Sequence, residues 1–295
     1  MTTASGLVDL DELVRAAGAL QPLSPSVTRI ARIVAAPESS LAELAQAVSL
    51  DQALTLRVLH LVNSAALRGR TAIHSARDGV MRLGMGSVLA LATAGQVRAD
   101  LSKPLPRYGL REGELWRHSV ASALALECIQ SQSRARLEPS AFTAALLHDI
   151  GKLVLGRFLS DEILALLDQV PLTTSAGRMQ AEREIRGVQH AEVGALIARN
   201  WSLPESIVAM IMYHHDPDEY ENTLAHEPAL VPSCHAVHIA DVLAHVACAP
   251  AGPVDIAGKL NLGSLKALAM SAEQVLALGA RVSARLAETL QIYAS

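Results

Sequence analysis

The chain has 295 residues, room for about two domains or one large helical unit, and 51% of them are apolar although only 3% are aromatic. Ala, Leu, Val and Ile must therefore fill the interior, and because Ala and Leu favour helices the expected fold is all-α. A net charge of −4, with Lys and Arg scattered, leaves no basic footprint for nucleic acid or an anionic membrane.

Residues 1–13 carry Asp9, Asp11 and Glu12 where a secretory signal would need positive charge followed by an apolar run. Apolar runs such as 88–94 fall short of the ~18 to 20 residues of a membrane-spanning helix. A soluble, cytoplasmic protein is expected. From residue 9 to about 98 the pattern is one of short amphipathic helices. Pro22 and Pro25 break the first, 24–36 reads as a helix stopped by Pro37, and Ser40 with Glu43 forms a capping box for 41–49. A helix over 52–63 sets Leu54, Val58, Leu61 and Val62 on one side and ends near Gly69. A segment over 75–83 is halted by Gly84-Met85-Gly86 before 88–97 resumes.

Pro104, Pro106 and Gly109 mark 102–113 as the boundary between subdomains. The expected division is an amino-terminal helical subdomain over 9–101, a second helical subdomain over 110–250 and a helical tail over 251–295. Beyond the boundary, helices are predicted over 114–131, 140–150, 161–170, 178–185, 190–200, 204–214, 235–247 and 271–292. Ser202 and Glu205 read as a capping box opening the helix over 204–214, and Pro217 as a residue that helps end it. Cys128, Cys234 and Cys248 are odd in number and lack C-x-x-C spacing, so they read as buried thiols of a reducing compartment.

Histidines inside apolar stripes carry the chemical signal, because a buried imidazole must find a partner. His118 shares a helical face with Leu115, Ser122, Leu126 and Ile129, which by itself describes a satisfied core histidine as well as a ligand. The segment Leu146-Leu147-His148-Asp149-Ile150-Gly151-Lys152 sets a neutral nitrogen beside an anionic oxygen at the end of an apolar helix, with a glycine that can turn the chain. Divalent metals need such ligands. A buried Asp149 needs either a metal or Lys152 as its partner.

"LLHDIGK" resembles the defining dyad of the HD superfamily of metal-dependent phosphohydrolases. The resemblance implies that His118 in "LWRHS" and Asp241 in "HIADVL" complete a first ligand set with His148 and Asp149. It further implies that His190 in "HAEVG" and His214-His215 in "YHHDP" hold a second metal, with Asp149 as the bridge. The cofactor would be one or two divalent ions, with iron, manganese and zinc all suited to the donors. The alternative is a hydrogen-bonded polar core without metal.

"LQPLSPSVTRIARIV", "SLAELAQAVSLDQALTLRVLHLVNSA" and "IHSARDGVMRLGM" are similar to the amino-terminal extension of HDOD (HD-related output domain) proteins. With the HD-like half the resemblance runs from about Leu13 to Cys248. It implies a bacterial signalling or regulatory role with a signalling protein as partner. The alternative is hydrolysis of a nucleotide or other phosphoester, in which Asp149 and Lys152 would be catalytic, the lysine neutralising developing charge. Dioxygen activation at a di-iron site is a third reading. In the related HD-GYP phosphodiesterases a Gly-Tyr-Pro signature follows the paired histidines. Here Asp216-Pro217-Asp218-Glu219-Tyr220 stands there instead, which points away from cleavage of cyclic di-GMP.

Overall fold

The computed structural model describes residues 9–64, 71–159, 182, 187–223, 227–249 and 260–294. The helices expected over 161–170 and 178–185, and the end of a helix near Gly69, lie outside the described residues apart from Glu182. No strand occurs among the described residues, so the all-α expectation holds.

The amino-terminal half contains α1 (Leu10–Gly18), α2 (Pro25–Ala35), α3 (Leu41–Ser49), α4 (Gln52–Val62) and α5 (Ala76–Leu101). Each of the five opens on a side-chain cap from Asp9, Ser24, Ser40, Asp51 or Ser75, which satisfies amide donors the helix itself leaves free. The interruption expected at Gly84 is a kink rather than a break. Gly84 alone leaves helical geometry (φ +78°, ψ 169°) and α5 continues on both sides of it, since only glycine enters that region at little cost.

The second half comprises α6 (Glu114–Gln130), α7 (Ala141–Leu147), α8 (Lys152–Leu155), α9 (His190–Asn200), α10 (Glu205–Met212), α11 (Pro217–Glu221), α12 (Val231–Cys248), α13 (Leu262–Ala267) and α14 (Ala272–Ala294). The α6 helix packs against α12, α14 and α7. Its inward residues include Ser119, Ala121, Ser122 and Ala125, and those of α12 include Ser233, Ala236, Ala240, Ala244 and Ala247. Small side chains on facing helices let the backbones approach closely, so a dense core is reached with few aromatic rings. Larger residues such as Leu115, Leu126, Ile129, Leu147 and Ile150 are fully buried around this seam, each adding about 1.5–3 kcal/mol of transfer free energy. By length and apolar content α5 and α12 could each cross a membrane, yet half and two thirds of their apolar windows are buried within the protein.

The amino-terminal helices pack on the second half through α5 against α7 and through α1 against α8 and α9. The 102–113 segment joins the halves as a tight loop closed by an antiparallel bridge between Leu105 and Leu110.

Candidate metal centre

His118 projects from the first turns of α6, and His148 and Asp149 follow the last residue of α7. Asp241 comes from the middle of α12, His190 opens α9, and His214-His215 follow α10. The structure brings all seven predicted ligands together. His148, Asp149, His190, His214 and Asp241 are at most 2% exposed.

They form two groups that share Asp149. In the first, His118 Nε2 lies 3.0 Å from Asp241 Oδ1, 3.2 Å from His148 Nε2 and 3.6 Å from Asp149 Oδ2. His148 Nε2 is 3.4 Å from Asp241 Oδ1 and 3.5 Å from Asp149 Oδ2. In the second, His190 Nε2 lies 3.2 Å from Asp149 Oδ1 and 2.9 Å from His215 Nε2, with the His214 and His215 rings 3.8 Å apart. Ligands about 2.0–2.2 Å from one ion are separated by about 2.8–3.6 Å along the edges of octahedral and tetrahedral shells, so the observed spacings fit.

Backbone contacts turn the donors inward. His148 Nδ1 donates to Ala145 O (2.8 Å) and His214 Nδ1 to Ile211 O (2.7 Å), which leaves each Nε2 facing the cluster. Within the cluster two buried atoms have no hydrogen-bond partner: His214 Nε2, and Asp149 Oδ1, whose approach to His190 falls outside hydrogen-bond alignment. Buried polar atoms are rarely left in this state, and a cation between them would satisfy both. The donor set therefore fits divalent metal.

The electrostatics agree. Burial holds His118 down at about 4, and burial with neighbouring imidazoles holds His214 and His215 well below their usual range, so all three are neutral donors at pH 7. Burial would raise Asp149, but Lys152, His148 and His190 outweigh it and keep the carboxylate ionised. Burial also works against Asp241, and His245 and His118 overcome it. His190 goes the other way: burial opposes its charge, yet Glu182 lifts it to about 9. Without metal its Nε2 keeps a proton. A divalent ion would take that proton's place.

Two residues that sequence reasoning missed orient these ligands. Glu182 Oε2 accepts from His190 N–H (2.9 Å) and from His190 Nδ1 (2.7 Å), fixing the ring as carboxylate partners of metal-bound histidines do. His245, one turn beyond Asp241, sets Nδ1 3.0 Å from Asp241 Oδ1 and packs edge-on against His118. Its four-residue spacing from Asp241 was a usable signal, whereas nothing local marks Glu182.

One expectation needs correction, and two are sharpened by the geometry. Gly151 stands in the turn between α7 and α8 but in right-handed geometry, with φ −61°, and a side chain there would place Cβ 1.9 Å from His190 O and 2.6 Å from Gly194 N. It is small because the backbone after Asp149 lies directly on α9, which sets His190 opposite Asp149. The helix before His214 has no Ser202–Glu205 capping box; Pro204 stands at its N-cap and Ser202 takes a left-handed φ of +55°. Of the two partners expected for Asp149, Lys152 is in place. Lys152 Nζ lies 2.6 Å from Oδ2 while Oδ1 faces the second group.

A cleft of about 920 Å³ opens onto His118, Asp149, Lys152 and His245, with Tyr108, Arg117 and Leu290 among its walls. The α14 helix thus contributes to the site through Leu290, although its sequence carries no chemical motif.

The HDOD domain family matches residues 20–217. A curated, uncharacterised protein of Treponema pallidum (strain Nichols) is 27% identical over 216 residues, 68% of this chain and 39% of that protein, so the chain spans about two fifths of its relative's length. Among solved structures, an HDOD domain protein of unknown function from Geobacter sulfurreducens is 26% identical with a TM-score of 0.63, covering 97% of both chains. Two others share the fold. A Marinobacter aquaeolei VT8 protein provisionally named for signal transduction gives 19% identity and a TM-score of 0.66 over 99% of this chain and 68% of that one. A Shewanella amazonensis SB2B protein provisionally named a metal-dependent phosphohydrolase gives 18% and 0.56 over 94% and 96%. The match over two thirds of the sequence, on an all-helical fold built around the His-Asp dyad, places this chain in the HDOD family.

Proposed function

We propose that this chain is a signal-transduction protein of the HDOD family whose second half is a divalent-metal-dependent phosphohydrolase site. The observation that carries the reading is the convergence of two ligand groups on the two oxygens of Asp149 at the floor of an open cleft. Bound divalent ions supply an activated water and polarise a phosphoryl oxygen.

The chain's own residues provide the rest. Lys152 presents an ammonium at the cleft floor, held by Asp149, where it meets an anionic phosphoester. His245 is 40% exposed at the same cleft, and the Asp241 carboxylate raises its pKa, which favours the protonated ring as a proton source for a leaving oxygen. Near-complete burial of His148, Asp149, His214 and Asp241 keeps bulk water from the ligand side of the site.

Turnover of bis(p-nitrophenyl) phosphate and of cyclic dinucleotides by protein loaded with Mn²⁺ or Zn²⁺ tests the proposal. Activity that is lost in Asp149→Ala supports it, and absence of turnover in metal-loaded protein refutes the hydrolase. A second reading keeps the metal site as a stabilising scaffold and assigns the signalling role to a protein partner on the amino-terminal helices. Exposed Leu50, Leu56 and Met81 on that half favour it.

A further inference from the structure

The loop joining the two halves reaches into the metal centre. Between Leu105 and Leu110, whose backbones pair in both directions, Pro106–Tyr108 forms a single 3-10 turn closed by Gly109 at φ +68°. Tyr108 is thereby held in the cleft wall, with its ring beside Gly156 and Lys152 Nζ 5.9 Å from the ring centre. Its hydroxyl donates to Glu182 Oε1 (3.1 Å). The other oxygen, Glu182 Oε2, takes both the backbone N–H and the Nδ1–H of His190.

We infer that Tyr108 is a positioning residue that acts through Glu182 on His190 and so sets the affinity of the second cation position. This rests on the metal reading proposed above. Glu182 is 2% exposed, and the donors at its two oxygens come from different parts of the fold, the inter-subdomain loop and the start of α9. His190 donates to one oxygen alone, so that contact leaves the carboxylate free to swing about it. The Tyr108 hydroxyl on the opposite oxygen removes that freedom. With the carboxylate fixed, His190 Nε2 is held 3.2 Å from Asp149 Oδ1 and 2.9 Å from His215 Nε2, the spacing a shared cation needs. The hydrogen bonds of His118 and His148 run to each other, to Asp241 and to Ala145 O rather than along this chain of bonds, so the first position should not feel its loss.

The test is a Mn²⁺ titration of the wild-type chain, Tyr108→Phe and Glu182→Gln. It is read by the electron paramagnetic resonance signal of free Mn²⁺ and by anomalous scattering at the two positions in soaked crystals. Partners of metal-bound histidines typically govern affinity by about 10- to 100-fold, so Glu182→Gln should weaken the second position by that factor. Tyr108→Phe, acting at one remove, should weaken it by about 3- to 10-fold. In both variants the first position should keep its wild-type affinity.

Equal loss at both positions, or wild-type affinity at both in Tyr108→Phe, overturns the inference while leaving the metal site standing. Failure of the wild type to bind Mn²⁺ overturns the metal reading, and this inference with it. If Tyr108→Phe does not fold, Glu182→Gln decides, because unchanged second-site affinity there removes the route by which Tyr108 would act.

Discussion

Replacing Gly151 with alanine should damage the metal centre without touching a ligand. The added Cβ would lie 1.9 Å from His190 O, where ordinary van der Waals contact begins near 3.4 Å, and 2.6 Å from Gly194 N. Both obstacles are backbone, so no side chain can rotate away, and α9 must retreat by about 1.5 Å. Overpacking of this kind costs about 1–3 kcal/mol, or a fall in Tm of roughly 3–10 °C for a chain of this size. The same retreat carries His190 from Asp149, now 3.2 Å away, beyond shared-ligand distance. Differential scanning calorimetry and Mn²⁺ titration would measure the two effects. Gly84→Ala is the matched control: φ is +78° with nothing within 4 Å of its Cβ, so strain of about 1–3 kcal/mol should lower Tm while both cation affinities stay at wild type. Wild-type second-site affinity in Gly151→Ala would refute the close-approach argument.

Other expectations follow from the charges. Asp149→Asn should abolish cation binding and, in metal-stripped protein, destabilise the fold by about 3–5 kcal/mol, because Lys152, 2.6 Å away and 12% exposed, loses its counter-charge. Adding Lys152→Met should restore the melting temperature but not the cation. In chelator, stability should peak near pH 6.5. Below that value the unfolded chain protonates its histidines while His118, at about 4, and the lowered His214 and His215 resist; the lowered Asp149, Asp241 and Glu182 extend the loss at more acid pH. Above it, His190, at about 9, and the raised His245 hold protons that the unfolded chain has released, so stability falls again towards pH 9. Melting curves across this range should show both limbs, and Mn²⁺ should shrink the alkaline one by replacing the proton on His190. At a concentration of 100 Kd a single cation should raise stability by about 2.7 kcal/mol over the chelated protein, seen as a higher Tm.

Much of this site was legible because its ligands break the pattern around them. His118, His148 and Asp149 are polar residues in or at the end of apolar helical stripes, and such residues announce an internal partner, whereas Asp241, His190, His214 and His215 entered through the resemblance to the HD superfamily. The cap at Ser40 was equally readable, as a local hydrogen bond written over three residues. Glu182 was not, because its meaning lies in contacts with His190 and Tyr108 that the fold alone creates. Gly151 shows the same limit. A glycine after a helix reads as a turn, and only packing against α9 reveals that its lack of a side chain, rather than its freedom of φ, matters. His245 was within reach, yet a histidine 40% exposed near the end of a helix resembles a surface residue until Asp241 is seen beside it.

The central claim is that Asp149 divides seven ligands into two cation positions. Counting Mn²⁺ bound per chain in wild type, His118→Ala and Asp149→Asn tests it most directly. The account predicts two ions, one and none, with all three proteins folded. A wild type that binds no ion, or an Asp149→Asn variant that still binds two, would contradict it.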